Sequence, residues 1–251
     1  MRRAALAFAL LGFGCSDRPS GRVSFEKTSP ATAEGRRVVE QLTRTDLWTE
    51  GFRAVDEKIG PFPAGLTVRV SFDGEGEEFG QGSATGNEGL VRFNLPKLEE
   101  YQRKVDELER QKKTLEAEGK KPVFRVPPAR LDRMIRHELT HVLQAGVDAP
   151  DWFREGMAVW VSDDPNTLLA FASAGKKVES IEMILPARTD AYARGHLFWK
   201  WLDTKGAARK AARAAVLDRV PWKRAIEEST GLAWETIVIE ERPWSAGAMT
   251  K

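Results

Sequence analysis

Two histidines four residues apart in one apolar-periodic segment constrain this chain more than any other feature. The segment is Leu131-Asp132-Arg133-Met134-Ile135-Arg136-His137-Glu138-Leu139-Thr140-His141-Val142-Leu143. Leu131, Ile135, Leu139 and Val142 recur at helical spacing and supply a buried face. Pro127 and Pro128 precede the segment, and proline suits a first helical turn. On such a helix His137 and His141 project from one side, one turn apart. Imidazoles so placed can grip one ion at Zn–N distances of about 2.0–2.1 Å. Glu138 lies about 60° to 100° round the helix from them, able to reach water at the ion without ligating it. That is the chemical content of the H-E-x-x-H pattern: two ligands and a base from one helical turn.

Composition sharpens the reading. The chain has 251 residues with only 3 His, so two of the three fall in this pattern, and its 1 Cys excludes a disulfide framework or a cysteine-cluster metal site. A 41% hydrophobic content with 12 Phe and 8 Trp suffices for a buried core. Lys+Arg 39 against Asp+Glu 37 gives +2, but two of the cations are Arg2 and Arg3, in a 14-residue stretch with no acid. Without that stretch the balance is 39 − 2 = 37 against 37. A chain with no positive surplus is not expected to bind nucleic acid.

Residues 1–14 read as a secretory signal: Arg2 and Arg3, then an apolar run from Ala4 to Phe13, too short to span a bilayer. With Cys15 at its end, this region resembles a bacterial lipoprotein signal, which implies lipid attachment at Cys15. Residues 15–33, rich in Ser, Pro, Gly and Thr, are expected to be a flexible tether. The expected location is the bacterial cell envelope, anchored to a membrane in the periplasm or at the outer membrane. Without lipidation at Cys15 the protein would be secreted.

Residues 34–251 are expected to form one domain. The apolar spacing from Glu34 to Ile59 predicts a helix ended by Gly60-Pro61. Leu66 to Phe72 alternates as a strand, Leu90 to Leu95 reads as another, and Glu78 to Ala84 as a short strand between them. Residues 97–118 form a charged helix with a thin stripe of Leu98, Tyr101, Val105, Leu108 and Leu115, expected to rest one edge on the core. The C-terminal half reads as helical, and Lys205 to Val216 is Ala-rich with Lys and Arg interspersed, expected to be a solvated face.

A catalytic zinc site takes three protein ligands and keeps one position open. No histidine follows at metzincin spacing, Gly146 falls five residues after His141, and the inverted H-x-x-E-H order is absent. A carboxylate is therefore needed. Glu155 is the best placed, in a second helix starting at Pro150, where Trp152 and Val159 share its face. Gly156 and Ala158 are small and are expected to let this helix approach the first. Spacing alone also leaves Asp148, Asp151 and Asp163 open.

Thirteen residues separate His141 from Glu155, which stands in Trp152-Phe153-Arg154-Glu155-Gly156-Met157-Ala158. Together with His137-Glu138-Leu139-Thr140-His141 this resembles the gluzincin metallopeptidases, specifically the small peptidase MA-like domains with their W-x-x-E-G-x-A setting. Gly82 to Leu95 is similar to the edge-strand region lining the family's cleft. Ala191-Tyr192-Ala193-Arg194-Gly195-His196 and Trp222 to Leu232 are similar to its later helices. The resemblance implies an α+β, thermolysin-like zincin fold: an N-terminal helix, a small mixed β-sheet, an active-site helix and a helical C-terminal half. The charged helix at 97–121 is extra to that pattern.

The resemblance further implies Zn²⁺ held by His137, His141 and Glu155, a water in the fourth position, and Glu138 as general base. It implies Tyr192 or His196 as oxyanion donor, where packing with Trp199 is the structural alternative. The expected substrate is a peptide or protein, with no obligate oligomer. Two other functions compete. One is a non-catalytic envelope lipoprotein that uses zinc as a structural pin for binding or assembly. The other is a metal-dependent hydrolase of something other than peptides.

Overall fold

A computed structural model describes residues 22–76, 78–122, 130–164, 166–173, 175, 177–183 and 188–249. The signal-like stretch, Cys15, the first part of the tether, and Pro127 and Pro128 lie outside the described residues.

The fold is α+β, a four-stranded sheet and a helical majority. The strands are β1 (Val23–Phe25), β2 (Thr67–Ser71), β3 (Gly80–Thr85) and β4 (Glu88–Phe93), in the order β1-β2-β4-β3. β1, β2 and β4 run parallel, and β3 is an antiparallel edge strand. β3 and β4 are joined through Gly86-Asn87, where Gly86 takes φ +60, backbone that glycine adopts without a side-chain penalty. One sheet face carries Val68, Val70, Val91 and Phe93 into the core, while Arg69, Gln81, Ser83 and Arg92 face outward.

The N-terminal helix is two helices, α1 (Ala33–Leu42) and α2 (Thr45–Lys58). The buried apolar residues step by three or four elsewhere but by six from Leu42 to Trp48, which is where the break falls. The break is fixed by capping: the Thr43 hydroxyl donates to the Val39 carbonyl (2.9 Å), and the buried Trp48 indole N–H donates to the Leu42 carbonyl (2.7 Å). These bonds satisfy carbonyls that a helix end otherwise orphans. The last strand stops at Phe93, and Asn94 caps α3 (Leu95–Ala117), accepting from the Lys97 N–H at 3.2 Å. Leu95 therefore belongs to the helix, not to the predicted strand. Only Leu98 and Val105 of the α3 stripe are buried, so the first half of that helix rests on the core, beside α1, and the rest stands in solvent.

α4 (Leu131–Leu143) lies at the centre, against α2, β3, β4 and α5 (Asp151–Ser162). Its buried residues include Leu131, Ile135, Leu139, Val142 and Leu143, each worth about 1.5–3 kcal/mol of burial. Asp163 ends α5 in left-handed backbone, φ 53. After α6 (Asn166–Ser173) and a single 3₁₀ turn at Ile181–Met183 come α7 (Arg188–Thr204), α8 (Ala208–Val216), α9 (Trp222–Thr230) and α10 (Trp234–Ala248). α10 runs through an internal proline, Pro243.

Gly156 serves a different contact from the one expected of it. A Cβ on Gly156 would overlap the backbone of Gly195, and one on Gly195 would overlap the Trp152 carbonyl. The glycines thus bring α5 onto α7 rather than onto α4, with their backbones touching. The Trp199 indole donates to the Phe153 carbonyl across this crossing, at 3.0 Å. Trp152, Phe198, Trp222 and Trp234 close the core on the far side.

Candidate metal centre

Three donor atoms converge where α4 meets α5. His137 Nε2 and His141 Nε2 are 3.1 Å apart, His141 Nε2 and Glu155 Oε2 are 3.2 Å apart, and His137 Nε2 and Glu155 Oε2 are 3.4 Å apart. In a tetrahedral shell with bonds of about 2.0–2.1 Å, neighbouring ligands stand about 3.3–3.4 Å from one another. The triangle therefore has the dimensions of three corners of a zinc-sized tetrahedron. Both imidazoles keep 17% and the carboxylate 20% of their side-chain surface exposed, so the cluster is only partly buried. The donor set, two imidazoles and one carboxylate, suits zinc.

Of the carboxylates that spacing left open, Glu155 is the one in the cluster. Asp151 is paired with Arg154 at 2.6 Å, and Asp163 caps α5.

The charges are matched within the cluster. Burial disfavours a charge on His141, but hydrogen bonding to Glu155 carries its pKa to about 9. Burial likewise works against the Glu155 carboxylate, yet hydrogen bonds from His137 and His141 hold it well below the usual carboxylate range. A carboxylate that keeps its charge here is what a divalent cation requires.

Glu138 is buried, and its Oε2 has no hydrogen-bond partner. Burial pushes its carboxyl above the usual range, against the pull of His137 and His141. β3 makes room for it. A Cβ on Gly80 would stand 2.8 Å from Glu138 Oε1, and one on Gly82 would overlap the Glu138 carbonyl oxygen. Gly80, Gly82 and Ala84 all face α4 along alternate positions of the strand. Asn94 N–H bonds the Phe79 carbonyl at 2.9 Å. The alternation of an antiparallel ladder then turns the backbone N–H and C=O groups of Gly80, Gly82 and Ala84 away from β4, along the sheet edge.

Tyr192 and His196 part company. The Tyr192 ring lies parallel to His137 with centroids 5.8 Å apart, and its hydroxyl donates to Glu78 Oε1 at 3.2 Å. Burial, then the negative charges of Glu155 and Glu78, keep this phenol protonated far above its normal range. His196, one turn along α7, is buried with Nδ1 unpaired. Burial and Lys200 push its pKa down to about 4, and its other charged neighbours are Asp163 and Lys58, not the cluster.

Gln144 and Glu78 escaped the sequence reading. Gln144 Oε1 is 2.9 Å from His141 Nδ1, and its amide N–H donates to the Arg154 carbonyl at 3.0 Å. Neither residue belongs to a pattern, although Gly80-x-Gly82-x-Ala84 is a readable sign of a strand face that a helix approaches closely.

No protein family, curated protein or solved structure was found to match the chain. Among the described residues, no helix is long and apolar enough to cross a membrane.

Proposed function

We propose that this chain is a zinc-dependent metallopeptidase with a thermolysin-like arrangement of edge strand, active-site helix and ligand-bearing helix. The observation that carries the proposal is the His137–His141–Glu155 triangle of three donors, with buried Glu138 beside it, whose Oε2 has no hydrogen-bond partner. A purely structural metal site is closed by its ligands and has no use for an unpaired acid.

His137, His141 and Glu155 would hold the ion. When bound, such an ion supplies Lewis acidity and brings water into a pKa range of about 7. Glu138 takes the proton as water attacks the carbonyl carbon, holds it on Oε2, and returns it to the leaving amine nitrogen. Its burial raises the pKa and suits that carrier role. On substrate binding the Tyr192 O–H would turn from Glu78 to donate to the oxygen on which negative charge develops. A peptide in extended form pairs with the outward backbone groups of Gly80, Gly82 and Ala84, laying its chain beside Glu138. That edge favours peptides over other hydrolysable substrates.

Metal content of the purified wild type against Glu155→Ala tests the centre. The wild type is expected to hold one zinc per chain and to cleave a fluorogenic peptide library, with activity lost to a chelator and restored by zinc. Glu155→Ala is expected to lose both zinc and cleavage, whereas zinc retained at full stoichiometry in that variant would remove Glu155 from the ligand set.

Lipid attachment at Cys15 and residence in the bacterial envelope complete the proposal, on the strength of residues 1–15. Cys15→Ser is expected to shift the protein from the membrane to the soluble fraction, and unchanged partitioning would dismiss the anchor.

A further inference from the structure

We infer that Gln144 is the positioning residue of this centre, fixing which nitrogen His141 offers to the ion. The inference rests on the metal-site reading above.

The amide's orientation is settled by its two ends. The Arg154 carbonyl can only accept, so the Gln144 amide N–H must face it, at 3.0 Å. Met157 Sδ lies 3.2 Å from the same nitrogen. The amide oxygen then faces the His141 ring, 2.9 Å from Nδ1. An oxygen there requires a proton on Nδ1, so a neutral His141 carries its lone pair on Nε2, the nitrogen turned toward His137 and Glu155.

The same amide reaches the second helix. The carbonyl it holds belongs to Arg154, whose peptide bond leads directly into Glu155. Gln144 is itself held as the C-cap of α4, its N–H bonded to the Thr140 carbonyl at 2.9 Å. It is 4% exposed, so water cannot readily replace either bond. One buried side chain thus sets the tautomer of one ligand and, by a separate bond, ties α4 to α5. Groups of this kind typically change metal affinity about 10- to 100-fold.

A helix tie and a ligand-positioning group respond differently to two substitutions. Gln144→Leu removes both bonds. Gln144→Glu keeps an acceptor for the His141 N–H but loses the donor to Arg154. Zinc affinity of full-length wild type and both variants is measured by competition with a chromophoric chelator, alongside thermal unfolding of the metal-free proteins. Imidazole ¹⁵N shifts of the zinc-loaded proteins report which nitrogen of His141 is bound.

The expected result is an affinity about 10- to 100-fold weaker in Gln144→Leu and within about threefold of wild type in Gln144→Glu, with His141 bound through Nε2. Unchanged affinity in Gln144→Leu, or equal losses in both variants, would overturn the inference and leave the centre standing. A wild type with no zinc affinity would overturn the centre as well. If Gln144→Leu does not fold, Gln144→Glu decides: retained affinity supports the inference, and a tenfold loss overturns it.

Discussion

Replacing Glu138 with glutamine is expected to lower kcat for peptide hydrolysis by about two to four orders of magnitude, with zinc affinity held close to wild type. That loss corresponds to about 3–5 kcal/mol of transition-state stabilisation. Glutamine matches glutamate in shape but cannot take a proton at the position of Oε2. It also lies outside the triangle formed by His137, His141 and Glu155, which is why the metal stays. The metal-free variant is expected to unfold no earlier than wild type, because glutamine keeps the shape and spares the buried site the desolvation of a carboxylate. Activity and zinc stoichiometry, measured on the same preparation, separate the outcomes. Full activity in Glu138→Gln would dismiss this carboxylate as the base.

The second large effect is on stability and comes from a pair far from the metal ligands in sequence. Arg194, 1% exposed, meets Glu241, 0% exposed, through two bonds of 2.8 Å, while its Nε donates to the Glu179 carbonyl at 2.9 Å. The Ser245 hydroxyl donates to the same carboxylate. One guanidinium therefore ties α7, α10 and the segment before the 3₁₀ turn together. Arg194→Met is expected to cost about 3–5 kcal/mol, because it strands a buried carboxylate. Against a total stability of about 5–15 kcal/mol that is a large share. The double variant Arg194→Met/Glu241→Leu is expected to recover most of the loss, since an apolar pair of similar size needs no partners. Urea unfolding of the single and double variants measures both. A single variant within about 1 kcal/mol of wild type would show that the pair contributes little to stability.

The centre was legible in the sequence because chemistry and helical period coincide within thirteen consecutive residues, 131–143. His137, Glu138 and His141 needed nothing from elsewhere in the chain. Glu155 was the best placed by the apolar face it shares with Trp152 and Val159, although spacing alone left three aspartates open. Strands β2, β3 and β4 and the main helices after them were readable from alternation and periodicity, whereas β1 (Val23–Phe25), which pairs with β2, falls in the stretch expected to be a tether. A single helix was expected from Glu34 to Ile59, although the buried apolar residues step by six from Leu42 to Trp48, where the Trp48 indole bonds the Leu42 carbonyl. Long-range partners left no local mark: Tyr192 meets Glu78 across 114 residues and Arg194 meets Glu241 across 47. Four-residue spacing on α7 grouped Tyr192 with His196, but one turn of helix carries the second ring away from α4 and among Lys200, Asp163 and Lys58.

The glycine crossing of α5 on α7 has a bearing on how such a centre can change. Glu155 stands one residue before Gly156, and Tyr192 three before Gly195, so ligand and phenol hang from the two arms of a single scissor joint. A methyl group on either arm pries both apart at once. On the proposed function, affinity for the ion and skill at the reaction would thereby drift in step, and a descendant of this chain could refine one without harming the other only by substitutions away from the joint.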